Sequence, residues 1–151
     1  MIRMTTTTAP RLDIQADAPA LYRAYVGLDR AVGAALDARL ADLVKLRASQ
    51  LNGCAYCVDQ HSTDAQAAGE DLRKLFAVSA WRESPLFSDR DRAALRLTEA
   101  VTRLRHDSEL DGPYEEAAEH FEPDELAALL YAIVTINGWN RLAVATHMVR
   151  G

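Results

Sequence analysis

Between Asp37 and Leu51 apolar residues fall at helical spacing, at Leu40, Leu43, Val44, Leu46 and Leu51. That spacing lays a wide apolar stripe along a helix. Asn52-Gly53 then interrupts it as a helix stop does, because glycine takes the left-handed conformation that closes a last turn. A stripe this wide has to be covered by other elements, and the rest of the chain supplies them in the same idiom.

Residues 16–33 carry Leu21, Tyr22, Tyr25, Val26, Leu28 and Val32 at helical spacing. The pattern restarts over 54–68 and closes at Gly69, and 71–80 reads as a short helix before the Ser84-Pro85 turn. Ser88 with Asp91 resembles a capping box at the head of the next helix. Asp111-Gly112-Pro113 is expected to start another, with Glu115 and Glu116 complementing its dipole. Glu122-Pro123-Asp124-Glu125 opens a long apolar segment over 124–149, which Asn137-Gly138 is expected to bend. The run Ile133-Val134-Thr135-Ile136 is the nearest thing to a strand, yet it lies inside a helical pattern with no turn before it. The reading is an all-α bundle of six or seven helices. It forms a single domain over 13–151, preceded by a flexible tail over 1–12.

Composition agrees with this. The 151 residues are 49% hydrophobic and 26% charged, with only 7 Gly and 5 Pro. The chain is long enough to bury a sizeable core. A net charge of −5 and a pI near 5.3 leave no basic footprint for nucleic acid. No stretch approaches the ~20 apolar residues of a membrane span. MIRMTTTTAPRL lacks the apolar region of a secretory signal, so the cytoplasm is the expected location. Disulfides do not ordinarily persist there, so a close cysteine pair in such a chain points to catalysis, redox exchange or metal binding.

The only two cysteines stand in GCAYCVDQH, residues 53–61. In a helix over 54–68, Cys54, Cys57 and His61 fall at i, i+3 and i+7, on one face. Cys54 is expected in the first turn, where free N–H groups and the dipole favour a thiolate. His61 lies one turn beyond Cys57 and can exchange a proton with it. One sulfur is thereby made nucleophilic and a second placed within disulfide reach, which is a dithiol redox site. The dipole argument favours Cys54 as the attacking thiol, and the i, i+4 histidine favours Cys57. Other readings stand beside it. The cysteines can be small core residues, or two cysteines, one histidine and a water can hold a zinc ion, although structural zinc usually has four protein ligands. A thioredoxin-type CxxC goes with a βαβ pattern, which is missing here.

The stretches LADLVKLRASQLNGCAYCVDQHSTDAQAAGE, LFAVSAWRESPLFSDRDRAALRLTEAVT and INGWNRLAVAT resemble the carboxymuconolactone decarboxylase / AhpD-like alkylhydroperoxidase family over about residues 20–147. The resemblance implies an all-helical, AhpD-like fold assembled as a homo-oligomer, a trimer or hexamer. It also implies thiol-dependent reduction of a hydroperoxide substrate through the cysteine pair. Cys57 would attack, Cys54 would resolve, His61 would relay the proton, and a dithiol or thioredoxin-like reductant would restore the pair. Asp42, twelve residues before Cys54, stands where the peroxidase pattern has a glutamate of the proton relay. It is one methylene shorter, so contact through water is expected. Tyr56 stands where the best-known peroxidases have histidine, which places the chain in the broader AhpD-like group. The lactone decarboxylase branch does not need a cysteine pair, so the CxxC argues against that reaction. The alternative within the same fold is a non-catalytic redox sensor or adaptor.

Ser49 and Gln50 are candidates for hydrogen bonding near the site or for capping. Trp81 and Phe87 are expected to pack or to line an entrance. Trp139, Asn140 and Arg141 are expected in structural or subunit-contact roles. His147 is read as a satisfied or exposed histidine. No glycine-rich phosphate loop is present, so no nucleotide, flavin or other cofactor is expected.

Overall fold

The computed structural model describes residues 9–150. The tail expected over 1–12 lies mostly outside the described residues. Arg11 is within them, and its backbone N–H donates to the carbonyl of Thr146 at 2.8 Å.

Eight α-helices and one 3-10 turn make up the described chain, with no strand among these residues. They are α1 (Ile14–Asp17), α2 (Pro19–Ala35), α3 (Ala38–Asn52), α4 (Ala55–Ala67), α5 (Leu72–Ala77), the 3-10 turn (Val78–Glu83), α6 (Asp89–Thr102), α7 (Ser108–His120) and α8 (Pro123–Thr146). The all-α, AhpD-like class expected from the sequence is the one found, with eight helices among the described residues where six or seven were expected.

Several boundaries differ, each for a local reason. The first helix divides at Ala18, whose backbone leaves the helical region because Pro19 follows it. Proline then serves as the first residue of α2, where its missing N–H costs nothing. The helix expected over 71–80 ends at Ala77 and tightens into the 3-10 turn. α7 begins at Ser108 instead of Asp111, because Leu104 and Asp107 both take positive φ and turn the chain early. Pro113 consequently sits inside α7, buried, and is not at its start. The capping box of Ser88 and Asp91 forms as expected.

α3 is the central element. It packs against α4, α6 and α8, while α7 covers α6 and α2 lies along α8. Its stripe is wide because it serves two clusters. Leu40, Ala41 and Val44 meet Ala93, Ala94 and Leu97 of α6 and Leu129, Ala132 and Ile133 of α8. Leu43 and Leu46 meet Leu75, Val78, Trp81, Phe87 and Leu95. Trp81 and Phe87 are therefore core residues and line no entrance. A third, smaller cluster holds Ala48, Cys54, Cys57, Ile136 and Ala143. Alanine on facing helices allows close approach at interior packing density.

A buried carboxylate ties the second cluster to the surface. Glu99 is 2% exposed and accepts from Arg47 Nε and Trp81 Nε1, each at 2.9 Å, with Arg82 Nη2 2.7 Å from its other oxygen. Burial alone pushes its carboxyl up. Contacts with Arg82, Trp81 and Arg47 outweigh burial and hold it below the ordinary glutamate value.

α8 is one uninterrupted helix through Asn137-Gly138, so the glycine does not break it. Gly138 has a packing role instead. A Cβ at this position would collide with the hydroxyl of Tyr25, which donates to the Thr135 carbonyl at 2.8 Å. No helix among the described residues is long and apolar enough to cross a membrane.

Candidate redox site

The site is built by how α3 stops. Gly53 takes φ 67°, its N–H bonds the carbonyl of Gln50 at 3.3 Å, and the N–H of Cys54 bonds the carbonyl of Ser49 at 3.0 Å. This is the paired closure of a Schellman motif. It delivers Cys54 as the cap of α4 in extended conformation, with Sγ accepting from the Cys57 N–H at 3.3 Å. Cys54 is thus one position ahead of the first turn in which the sequence reading placed it. The sulfur acts as the cap acceptor that Ser or Asp usually supplies.

Cys54 and Cys57 are joined by a disulfide, their Cα atoms 5.3 Å apart. They are 1% and 3% exposed. Only Cys57 reaches a pocket of about 200 Å³, whose walls include Tyr22, Tyr56, His61, Asp64 and Trp139. His61 approaches Asp42 with Nδ1 3.4 Å from Oδ1, near the outer limit of a direct hydrogen bond. The shorter aspartate reaches the histidine after all, because α3 and α4 pack side by side. The four residues singled out in the sequence therefore meet as two pairs, a disulfide and a carboxylate–imidazole contact, both at the junction of α3 and α4.

With the sulfurs bonded to each other, the donors that the fold gathers for a cation are not the cysteines. Ligand atoms of Asp42, His61 and Asp64 lie within 4.8 Å of one another. Three such donors fall short of the four protein ligands of a structural zinc site.

Other residues shape the site without having been singled out for it. Trp139 packs edge-on against Tyr25 and Tyr22, with ring centroids 4.7 and 5.7 Å away, and walls the pocket. Asp29 also lines the pocket and pairs with Lys45 at 2.8 Å. Burial first, and then the Asp29 carboxylate, raise the Tyr25 phenol above its ordinary value. Asn52 donates to the side-chain oxygens of Asn137 and Asn140, at 2.9 and 2.8 Å. Asn140 in turn donates to Ser49, so Ser49 does bond next to the site, and Asn140 has the structural role expected of it. Arg141 donates to Asn137. His147 ends α8 in the left-handed conformation, outside the pocket.

A sequence model of the Carboxymuconolactone decarboxylase family matches residues 19–100. The chain belongs to this family. The matched span runs from α2 into α6 and contains Asp42, Cys54, Cys57 and His61. Among curated relatives, the uncharacterized protein YdfG of Bacillus subtilis is 36% identical over 104 residues, covering 69% of this chain and 71% of that one. The uncharacterized protein YnjA of Escherichia coli is 38% identical over 82 residues, covering 54% of this chain and 45% of that one. Among solved structures, a protein of unknown function from Agrobacterium tumefaciens, suggested to be the antioxidant defence protein AhpD, superposes with a TM-score of 0.89. The two are 33% identical, and the match covers 95% of this chain and 99% of that one. This carboxymuconolactone decarboxylase family member thus combines an AhpD-like fold with a disulfide at its cysteine pair.

Proposed function

We propose that this protein is a thiol-dependent peroxidase, or dithiol–disulfide oxidoreductase, that reduces alkyl hydroperoxides. The observation that carries the reading is the asymmetric placing of a bonded pair: Cys57 faces a pocket that His61 shares, and Cys54 lies behind it. In the reduced enzyme the Cys57 thiolate attacks the terminal peroxide oxygen. The O–O bond breaks, Cys57 becomes a sulfenic acid, and the alkoxide leaves as an alcohol with a proton relayed through His61. Asp42 is a positioning residue that holds the imidazole. The Cys54 thiolate then attacks the Cys57 sulfur, hydroxide leaves as water after taking a proton, and the disulfide forms. A dithiol or thioredoxin-like reductant restores the pair.

Assembly as a homo-oligomer, a trimer or hexamer, belongs to the same reading. Exposed Leu21, Tyr131 and Val134 on α2 and α8 support it. The cytoplasm, where such reductants are held, is the proposed location.

The test is thiol titration before and after sub-stoichiometric cumene hydroperoxide, followed by turnover with a dithiol donor. Loss of two thiols per peroxide consumed, with turnover abolished by Cys57→Ser, is the expected result. A disulfide that forms without turnover makes the protein a redox sensor or adaptor. Thiols that stay free in folded protein refute both.

A further inference from the structure

The pocket beside Cys57 has a one-sided charge. Asp29 and Asp64 line it, Asp42 lies behind His61, and neither lysine nor arginine is among its lining residues. Lys45 offsets Asp29 from behind at 2.8 Å and is itself only 7% exposed. Asp64 accepts from the neutral amide of Gln60 at 2.7 Å, which leaves its charge in place. Arg150 is drawn to Asp59, at 3.8 Å. Three carboxylates thus stand against one paired lysine and one imidazole. Tyr22, Tyr56 and Trp139 form the aromatic part of the wall. Carboxylates in a cleft with low-dielectric walls concentrate a negative potential, and aromatic faces add their own attraction for a cation.

We propose that the site takes a small thiol reductant bearing a positive charge near its sulfur, an aminothiol in the simplest case, and discriminates against anionic thiols. The proposal rests on the dithiol redox reading and names the charge class of the molecule that closes its cycle. The ammonium group is held by Asp64 and the aromatic wall while the sulfur reaches Cys57. The reductant thiolate attacks Cys57 Sγ, the bond to Cys54 breaks, and Cys54 leaves as a thiolate that takes a proton. A second reductant thiolate attacks the sulfur of the first in the mixed disulfide, and Cys57 leaves as a thiolate. Two small thiols are oxidised to one small disulfide, and the protein pair is reduced to the dithiol. A volume of about 200 Å³ suits a molecule of this size. Asp64 is the charge-selecting residue.

The experiment uses the oxidised full-length protein and three probes: cysteamine, 2-mercaptoethanol and 3-mercaptopropionate. Rates of disulfide reduction are read by alkylation and mass spectrometry and expressed per thiolate. At low ionic strength cysteamine is expected to react about tenfold faster than 3-mercaptopropionate. The ratio should fall toward one as salt screens the pocket. It should shrink in Asp64→Asn and invert in Asp64→Lys. Equal rates per thiolate at low salt, or a ratio unchanged by Asp64→Lys, overturn the proposal while leaving the redox reading intact. A pair that none of the three thiols reduces, but that dithiothreitol does, overturns the proposal alone; a pair that resists dithiothreitol as well overturns both.

Discussion

Asn140 Nδ2 donates to Ser49 Oγ at 3.0 Å, joining the last helix to the end of α3 across 91 positions of sequence. Both side chains are buried. The Asn140 oxygen accepts from Asn52, immediately before Gly53. The turn that carries Cys54 is therefore anchored to α8 by side chains, as well as closed by its own backbone.

Asn140→Leu leaves Ser49 and Asn52 short of a partner inside the fold. The expected cost is about 2 kcal/mol of stability, read as a lower midpoint in urea denaturation. Because the turn is loosened, alkylation of the reduced cysteines should quicken as well. An unchanged midpoint removes the anchoring role.

Gly138→Ala tests the close approach of Tyr25 to α8. The methyl group meets the Tyr25 hydroxyl, and overpacking of this kind costs about 1–3 kcal/mol. Gly138→Ala combined with Tyr25→Phe should recover part of the loss, since the colliding oxygen is gone. If the single variant melts with the wild type, the close approach is not constraining.

Asp42→Asn removes the charge beside His61 while keeping the shape. Peroxide-dependent kcat/KM should drop by about 10- to 100-fold. Asp42→Glu, one methylene longer, should retain most of the rate. A kcat/KM unchanged in Asp42→Asn shows that the carboxylate has no hold on the histidine.

Glu99 gives the fold a pH-dependent component. Its carboxyl is held below the ordinary value in the folded state. Its contribution is thus complete above the unfolded-state pKa, about 4.3, and is lost as pH falls through the lower folded-state value. Glu99→Gln, which leaves the part-buried Arg47 without its counter-charge, should cost about 3 kcal/mol at pH 7. The gap between variant and wild type should close below pH about 4. A gap that is constant down to acid unfolding contradicts this.

The helices were legible because their signals are local. Periodicity over 37–51, the cap at Ser88 and the stop at Gly53 each depend on residues a few positions apart. What was misread was also local in cause. Two positive-φ residues, Leu104 and Asp107, moved the start of α7, and no composition signal marks such residues when neither is glycine. Gly138 carried a visible signal, but its partner Tyr25 is on another helix, so the contact between them could not be read from the sequence.

By itself the sequence determined the all-α class, the central apolar helix and the cysteine pair at a helix start. These follow from spacing along one chain and from the conformational freedom of Gly53. Only the tertiary structure decided which groups share a space. The packing of α3 on α4 brings Asp42 to His61, the seating of α2 against α8 stacks Tyr22 and Tyr25 on Trp139, and α2 also sets Asp29 beside the pocket. Side chains that meet across helices are placed by packing and not by periodicity, so the charge of the pocket became readable only after the chain was folded.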